Sequence, residues 1–151
     1  MRLILQRVKS ASVEVAHEKV AAIDHGLLVL VGIEKGDGTD QVIRAADKLV
    51  SLRIFEDDRG RMNLDTSTVG GAILLVSQFT LAGSLAKGRR PSFDRAAPAA
   101  QAETLVEALA ARLSDSGIRV ETGRFGAHME VELINDGPVT FVLDLPSGAP
   151  N

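Results

Sequence analysis

The sequence predicts an α+β domain in which an antiparallel β-sheet or open β-barrel carries two main helices. Short apolar runs and alternating segments of strand type fill the first third of the chain and return at its end. Only two stretches, near residues 40–52 and 98–116, show the apolar spacing of helices. Helices in separate places beside closely spaced strands are typical of this fold class.

The N-terminal third is predicted to consist of strands. Residues 2–8 are rich in apolar side chains, and residues 12–16 alternate as a half-buried strand does. Residues 27–31 are continuously apolar, as in a strand that is buried on both faces. Turns are expected at residues 17–19 and 24–26, and strands this closely spaced favour antiparallel pairing.

The predicted helices have recognisable ends. Breaker and N-cap residues precede residues 40–52, and Pro98 suits the first turn of a helix that continues to about residue 116. Gly117 is the expected C-cap. Between the helices, residues 82–97 are predicted to form a loop that is made basic by Lys87, Arg89 and Arg90.

The remaining strands are short. Residues 53–55 and 72–76 are predicted strands, and the second is followed by Ser77-Gln78-Phe79-Thr80. Residues 129–133 and 139–143 form the last two, and Asn135-Asp136-Gly137 is predicted to be a hairpin turn between them.

Composition limits the function. The 151 residues fit one domain, expected at 1–145, with a frayed tail at 146–151. The sequence has no cysteine, and no apolar run approaches the roughly 20 residues of a membrane helix, so a cytoplasmic location without a membrane partner is expected. The net charge of −3 and the absence of Trp and Tyr argue against DNA, or any long nucleic-acid backbone, as a partner. They leave room for a protein that touches only the end of an RNA.

Most catalytic and metal-binding patterns are absent from the sequence. His17, His25 and His128 are scattered without metal-ligand spacing, and their simplest interpretation is as surface or turn residues. Nucleophile elbows, P-loops and dinucleotide fingerprints are also absent, so no metal or cofactor is expected.

Two segments remain unusual. In Ser77–Thr80, three hydrogen-bonding side chains lie close together where a buried strand ends. This indicates either a functional site or simply a polar strand terminus. In Asn135–Thr140, the proline removes a backbone hydrogen-bond donor beside a predicted strand. A cis Gly137-Pro138 bond would direct two successive carbonyl oxygens the same way, which suits the binding of an ammonium group. A simple tight turn is the alternative for the second segment.

Together these segments resemble the D-aminoacyl-tRNA deacylase family, whose signatures are Ser-Gln-Phe-Thr and Asn-Xaa-Gly-Pro-Val-Thr. Both stand intact at 77–80 and 135–140, and the resemblance covers residues 1 to about 145. Further agreement in order and spacing is found at Gln6-Arg7-Val8, Arg53-Ile54-Phe55, Met62-Asn63-Leu64 and Thr122-Gly123-Arg124-Phe125.

The resemblance implies a homodimeric hydrolase that removes D-amino acids from tRNA, and also glycine from mischarged tRNA(Ala), while it rejects L-aminoacyl-tRNA. It implies Ser77, Gln78 and Thr80 as catalytic residues and a cis Gly137-Pro138 segment that enters the partner's pocket. As further substrate-binding residues it implies Phe79, Phe125, Met129 and, beside the Gly-Pro segment, Arg7.

The sequence is compatible with two mechanisms. Thr80 could act as a nucleophile, or the ribose 2′-hydroxyl beside the ester could guide water while backbone N–H groups near Phe79 and Thr80 stabilise the oxyanion. If the Gly137-Pro138 carbonyls fix the α-amino group, the pocket excludes an L side chain by steric clash. The alternatives are a non-catalytic module that binds the tRNA 3′ end, with the basic loop on phosphates, and an editing domain for L-amino acids.

Overall fold

The computed structural model describes residues 1–148, and within them the chain forms eight strands and two α-helices. The predicted tail is exposed coil at 146–148, and its last three residues lie outside the described range. No helix among the described residues has the length and apolar character needed to cross a membrane. The elements, in chain order, are β1 (Arg2–Val15), β2 (Glu18–Ile23), β3 (Gly26–Gly32), α1 (Thr39–Ser51), β4 (Phe55–Glu56), β5 (Met62–Leu64), β6 (Ala72–Ser77), a 3-10 helix (Phe79–Ala82), α2 (Ala99–Asp115), β7 (Arg119–Thr122) and β8 (Glu130–Asp144).

Strand β1 is the centre of the main sheet. One of its edges pairs with β8, and its other edge pairs first with β3 and then with β2, all antiparallel. Strands β6 and β7 continue the sheet from β3 in parallel. The sheet curls far enough for Arg119 of β7 to donate a hydrogen bond of 3.3 Å to the carbonyl of Ala22 in β2. The fold is therefore α+β with an open, barrel-like sheet, as predicted.

The parallel strand pairs were not expected from the sequence. They follow from the connections, because α1 lies between β3 and β6 and α2 lies between β6 and β7. A helical crossover returns the chain to the same end of the sheet, so the next strand runs parallel to the last. Both helices agree with the prediction to within about two residues, and Gly117 follows α2 with a φ of 88°.

The sheet separates two apolar cores. Leu27, Val29 and Val31 face the helices and pack in the core that contains Leu49 of α1 and Leu109 of α2. Leu28 faces the inside of the curl and packs in the second core. Burial on both faces explains why β3 is continuously apolar, as the sequence indicated.

The predicted hairpin turn at residues 135–137 is wrong. Asn135 pairs with Val8 and Thr140 pairs with Gln6, so β8 keeps its direction and residues 136–139 bulge out of the ladder. The Asn135 side chain closes this bulge, because its Oδ1 accepts a hydrogen bond of 2.7 Å from the N–H of Val139. Local turn chemistry is present, but pairing with β1 on both sides of it keeps the strand continuous.

Candidate active site

The polar segment Ser77–Thr80 lies where a fully buried strand ends, as the sequence predicted. Ser77 pairs with Val31 of β3, and the N–H of Gln78 extends this pairing by donating to the Val31 carbonyl at 2.7 Å. The chain then turns into the 3-10 helix, in which the N–H of Gly83 donates to the carbonyl of Thr80 at 2.9 Å. Sheet pairing thus fixes the backbone on which the polar side chains stand.

A cavity of about 450 Å³ opens beside this segment. Its walls come from the ends of β3 and β6, the start of α2 and the segment between β7 and β8. Of the predicted site residues, the cavity brings together Ser77, Gln78, Phe79, Phe125 and Met129. A largely apolar cavity with a few polar groups at one end is the usual form of a small-molecule site.

Small side chains on the α2 side of the cavity leave room for a ligand. Ala96, Ala97, Ala99 and Ala102 line it there. These residues were not predicted from the sequence, although a run of alanines around a helix start is a visible signal. Gly123 does not line the cavity itself but makes room for a residue that does, because a Cβ on Gly123 would lie 2.7 Å from Sδ of Met129.

The polar end of the cavity offers both side-chain and backbone groups. Nε2 of Gln78 donates a hydrogen bond to Oγ1 of Thr80, a predicted catalytic residue that is exposed and does not itself line the cavity. Within residues 1–148, the hydroxyl of Ser77 and the N–H groups of Phe79 and Thr80 have no hydrogen-bond partner. Two backbone donors and one hydroxyl are therefore available to a bound molecule.

The aromatic side chain of Phe79 connects this site to the following loop. Its ring is 59% exposed, and its centroid lies 5.1 Å from that of Phe93 at an interplanar angle of 59°. A tilted pair at this distance is a favourable arrangement of two rings. The loop that contains Phe93 is therefore held against the cavity rim.

His128 also lines the cavity. It is the one ionisable side chain among the described lining residues, and it is exposed just after the turn at residues 125–127, in agreement with the surface or turn position indicated by the sequence. No group of three or more His, Cys, Asp or Glu side chains within residues 1–148 has the arrangement of a metal site. The cavity thus contains a single titratable group and no acid–base pair.

Arg7, Gly137 and Pro138 lie elsewhere in the chain. Arg7 pairs with Leu27 of β3, four residues from Val31, which neighbours Ser77. At about 3.3 Å per residue, roughly 13 Å of strand separates the two places. The Gly137-Pro138 peptide bond is cis, and both residues are exposed.

Arg7 is buried beside the bulge of β8. Its guanidinium donates hydrogen bonds to the carbonyl of Ile54 at 2.7 Å and to the carbonyl of Asp136 at 2.9 Å, and Glu56 lies 3.4 Å away. The side chain is only 4% exposed. Arg7 thus holds the residue that precedes Gly137 and contributes nothing to the cavity of its own chain.

Comparisons with known proteins agree with the resemblance seen in the sequence. The D-aminoacyl-tRNA deacylase of Geotalea daltonii is 51% identical over 150 residues, which cover 99% of this chain and all of that protein. The D-aminoacyl-tRNA deacylase of Halalkalibacterium halodurans is 54% identical over 144 residues, 95% of this chain and 99% of that protein.

A solved structure described as the c-Myc DNA Unwinding Element Binding Protein superposes with a TM-score of 0.90 at 38% identity and covers 97% of this chain and 99% of its own. The model of the family described as D-Tyr-tRNA(Tyr) deacylase matches residues 4–144, nearly the whole of the described chain. The chain therefore belongs to the D-Tyr-tRNA(Tyr) deacylase family.

Proposed function

We propose that this protein hydrolyses the ester bond between a D-amino acid and the terminal adenosine of tRNA, releasing the free D-amino acid and the tRNA. Its relatives are named for this activity. The observation that carries the proposal is the position of the signature segment, because Ser77, Gln78 and Phe79 line one end of a cavity large enough for an aminoacyl-nucleoside end. The apolar remainder, including Phe125 and Met129, contacts the rest of the substrate.

The polar end of the cavity suits attack on an ester carbonyl. Negative charge develops on the carbonyl oxygen during this attack, and donors fixed in advance stabilise it. The unpaired N–H groups of Phe79 and Thr80 are such donors, and the Ser77 hydroxyl is free to orient the ester or water. An aminoacyl ester is already activated, so positioning supplies much of the necessary acceleration.

The attacking group in this proposal is water guided by the ribose 2′-hydroxyl. A threonine nucleophile needs a base that accepts its proton. The hydroxyl of Thr80 instead accepts a hydrogen bond from Gln78, which is a donor and cannot take that proton. Thr80 therefore acts as a positioning residue for Gln78 and the ester.

A two-fold dimer would bring Gly137 and Pro138 into this site. Strand β8 has 15 residues and pairs only with β1 in the described chain, so its other edge is open. Ile134 is 55% and Val142 is 62% exposed on it. A long, open, apolar edge strand is a pairing surface that monomers avoid. The distance of the Gly137-Pro138 segment from its own cavity also favours delivery to a partner.

Chiral selection follows from this arrangement. Carbonyl oxygens of the partner's Gly137-Pro138 segment would hold the α-amino group of the substrate close to the backbone. The α-hydrogen of a D-residue then fits where the side chain of an L-residue clashes. Glycine has two α-hydrogens, so glycyl-tRNA would also enter, which extends the proposal to glycine mischarged on tRNA(Ala).

The deciding experiment is deacylation of matched D- and L-tyrosyl-tRNA by the pure protein. Turnover of the D-ester alone supports the proposal. Tight binding of deacylated tRNA without turnover would indicate a non-catalytic module, and preferred turnover of the L-ester would indicate an editing domain. Either result contradicts the proposed function.

A second experiment tests the dimer. Ile134→Glu places a charge on the open edge of β8, and Ile43→Glu on α1, where Ile43 is 37% exposed, is the matched control. Sedimentation velocity should give a dimer for the wild type and the control and a monomer for Ile134→Glu, with loss of D-specific turnover. A monomeric wild type that remains D-specific would overturn the shared site.

A further inference from the structure

The loop between the 3-10 helix and α2 carries a compact cationic cluster. We define the basic loop as residues 84–92, because the backbones of Ser84 and Ser92 exchange two hydrogen bonds of 2.8 and 3.0 Å. The loop contains no acidic residue, and its tip carries Lys87, Arg89 and Arg90. A structure closed at its base thus presents three positive charges within four positions.

These three charges are not used within the chain. Lys87, Arg89 and Arg90 are exposed, and none forms an ion pair with any of residues 1–148. Just outside the loop, by contrast, Arg95 does form an ion pair, because its guanidinium lies 2.8 Å from the carboxylate of Glu34. Three adjacent unpaired cations are notable in a chain whose net charge is −3.

The base of the basic loop is fixed at the rim of the cavity. Directly after the loop, Phe93 packs against Phe79, which lines the cavity. Two residues further on, the carbonyl of Arg95 accepts a hydrogen bond of 2.8 Å from the N–H of Lys35, and the next residue, Ala96, also lines the cavity. The loop that carries the cations is therefore anchored beside the cavity.

We propose that the basic loop binds the phosphodiester backbone of the RNA strand whose 3′ end occupies the cavity. This inference rests on the proposed function. Arginine forks match phosphate oxygens, and a lysine supplies a point charge to them. A contact limited to about three phosphates also explains how a protein with net negative charge binds an RNA end without tracking a duplex.

The magnitude of the effect can be calculated from counterion release. Each phosphate contact on a single strand contributes a salt exponent of about 0.7, which corresponds to about fivefold in affinity at 0.1 M salt. Arg89→Ala/Arg90→Ala should therefore raise the KM for D-tyrosyl-tRNA about 25-fold at that salt concentration. The slope of log KM against log salt should fall by about 1.4, while kcat is unchanged.

The control variant removes the same charge from other surfaces. Lys19 on β2 and Lys48 on α1 are exposed and form no ion pair within the described residues, so Lys19→Ala/Lys48→Ala should leave KM within about twofold of the wild type. The second substrate is 3′-O-D-tyrosyl-adenosine, which has no phosphate. Both double variants should hydrolyse it like the wild type.

Failure of this inference can be distinguished from failure of the proposed function. An unchanged KM and salt slope for Arg89→Ala/Arg90→Ala would overturn this inference, and so would an equal loss of activity on the phosphate-free ester. If the wild type hydrolyses neither substrate, the proposed function fails. The Kd of deacylated tRNA for the same variants, measured by filter binding over a salt series, then still tests the loop.

Discussion

Arg7 lies directly opposite the four-residue bulge of β8 and donates a hydrogen bond of 2.9 Å to the backbone carbonyl of Asp136, the residue before Gly137. Since the same guanidinium also binds the Ile54 carbonyl, one buried side chain connects the bulge to the segment before β4. Arg7 is far from the cavity of its own chain, but it holds the segment that would enter the partner's cavity in the proposed dimer.

Replacement of Arg7 by methionine should destabilise the protein. The buried carbonyl of Ile54 and the partly buried carbonyl of Asp136 would lose their donors, which we expect to lower the free energy of unfolding by about 3 kcal/mol. Urea denaturation measures this, with Arg53→Met as the control, because Arg53 is exposed and forms no ion pair within residues 1–148. Equal losses for the two variants would contradict the structural role of Arg7.

Pro138→Ala should weaken chiral discrimination more than stability. The prolyl ring fixes its own φ angle, and a residue without the ring lets the preceding carbonyl change direction. Pro138 is exposed, so little packing is lost. The ratio of kcat/KM for D- and L-tyrosyl-tRNA should fall by at least about tenfold, equivalent to about 1.4 kcal/mol. An unchanged ratio with a lower melting temperature would contradict the proposed role of the Gly137-Pro138 segment in chiral selection.

Thr80→Ala should remain an active hydrolase if the 2′-hydroxyl of the substrate guides water. We expect kcat to fall by no more than about tenfold, whereas a D-aminoacyl-tRNA with a 2′-deoxy terminal adenosine should lose about 100-fold or more. Single-turnover deacylation compares the two. Complete inactivity of Thr80→Ala, together with full turnover of the 2′-deoxy substrate, would identify Thr80 as the nucleophile.

Gly123→Ala should narrow the cavity through Met129. The new Cβ would lie 2.7 Å from Sδ of Met129, so the flexible Met129 side chain would have to move to relieve the contact. We expect KM to rise about tenfold, with about 1–3 kcal/mol of lost stability. The comparison of Gly123→Ala/Met129→Ala with Met129→Ala alone is the control, because without the thioether the glycine substitution should have little effect on KM.

The contribution of Asp57 to stability should depend on pH. Its carboxylate accepts hydrogen bonds from the N–H groups of Arg61 and Arg59, which lower its pKa from the usual value. A lowered pKa stabilises the folded state above the unfolded pKa, and this stabilisation is lost as the pH falls through the folded value. The difference in urea midpoint between wild type and Asp57→Asn should therefore shrink below about pH 4. A constant difference from pH 7 to pH 3 would argue against this assignment.

The sequence by itself determined the fold class, both helices and the position of Ser77–Thr80 at a strand end, because these depend on local periodicity and on the order of elements. It could not determine the parallel pairing of β3 with β6, since strand direction depends on how α1 crosses the sheet. It also favoured a hairpin at residues 135–137, because turn chemistry is local, whereas pairing with β1 on both sides of the bulge keeps β8 continuous.

The candidate site also has one part that the sequence predicted and one part that only the tertiary structure decided. Residues adjacent in sequence, such as Ser77 to Phe79, could be recognised from a motif and a strand end. The alanines of α2, His128 and the connection between Phe79 and Phe93 become part of the site only through packing between distant segments. Tertiary structure alone decided these contacts, because a cavity is the space that several packed elements leave between them, and no single segment encodes it.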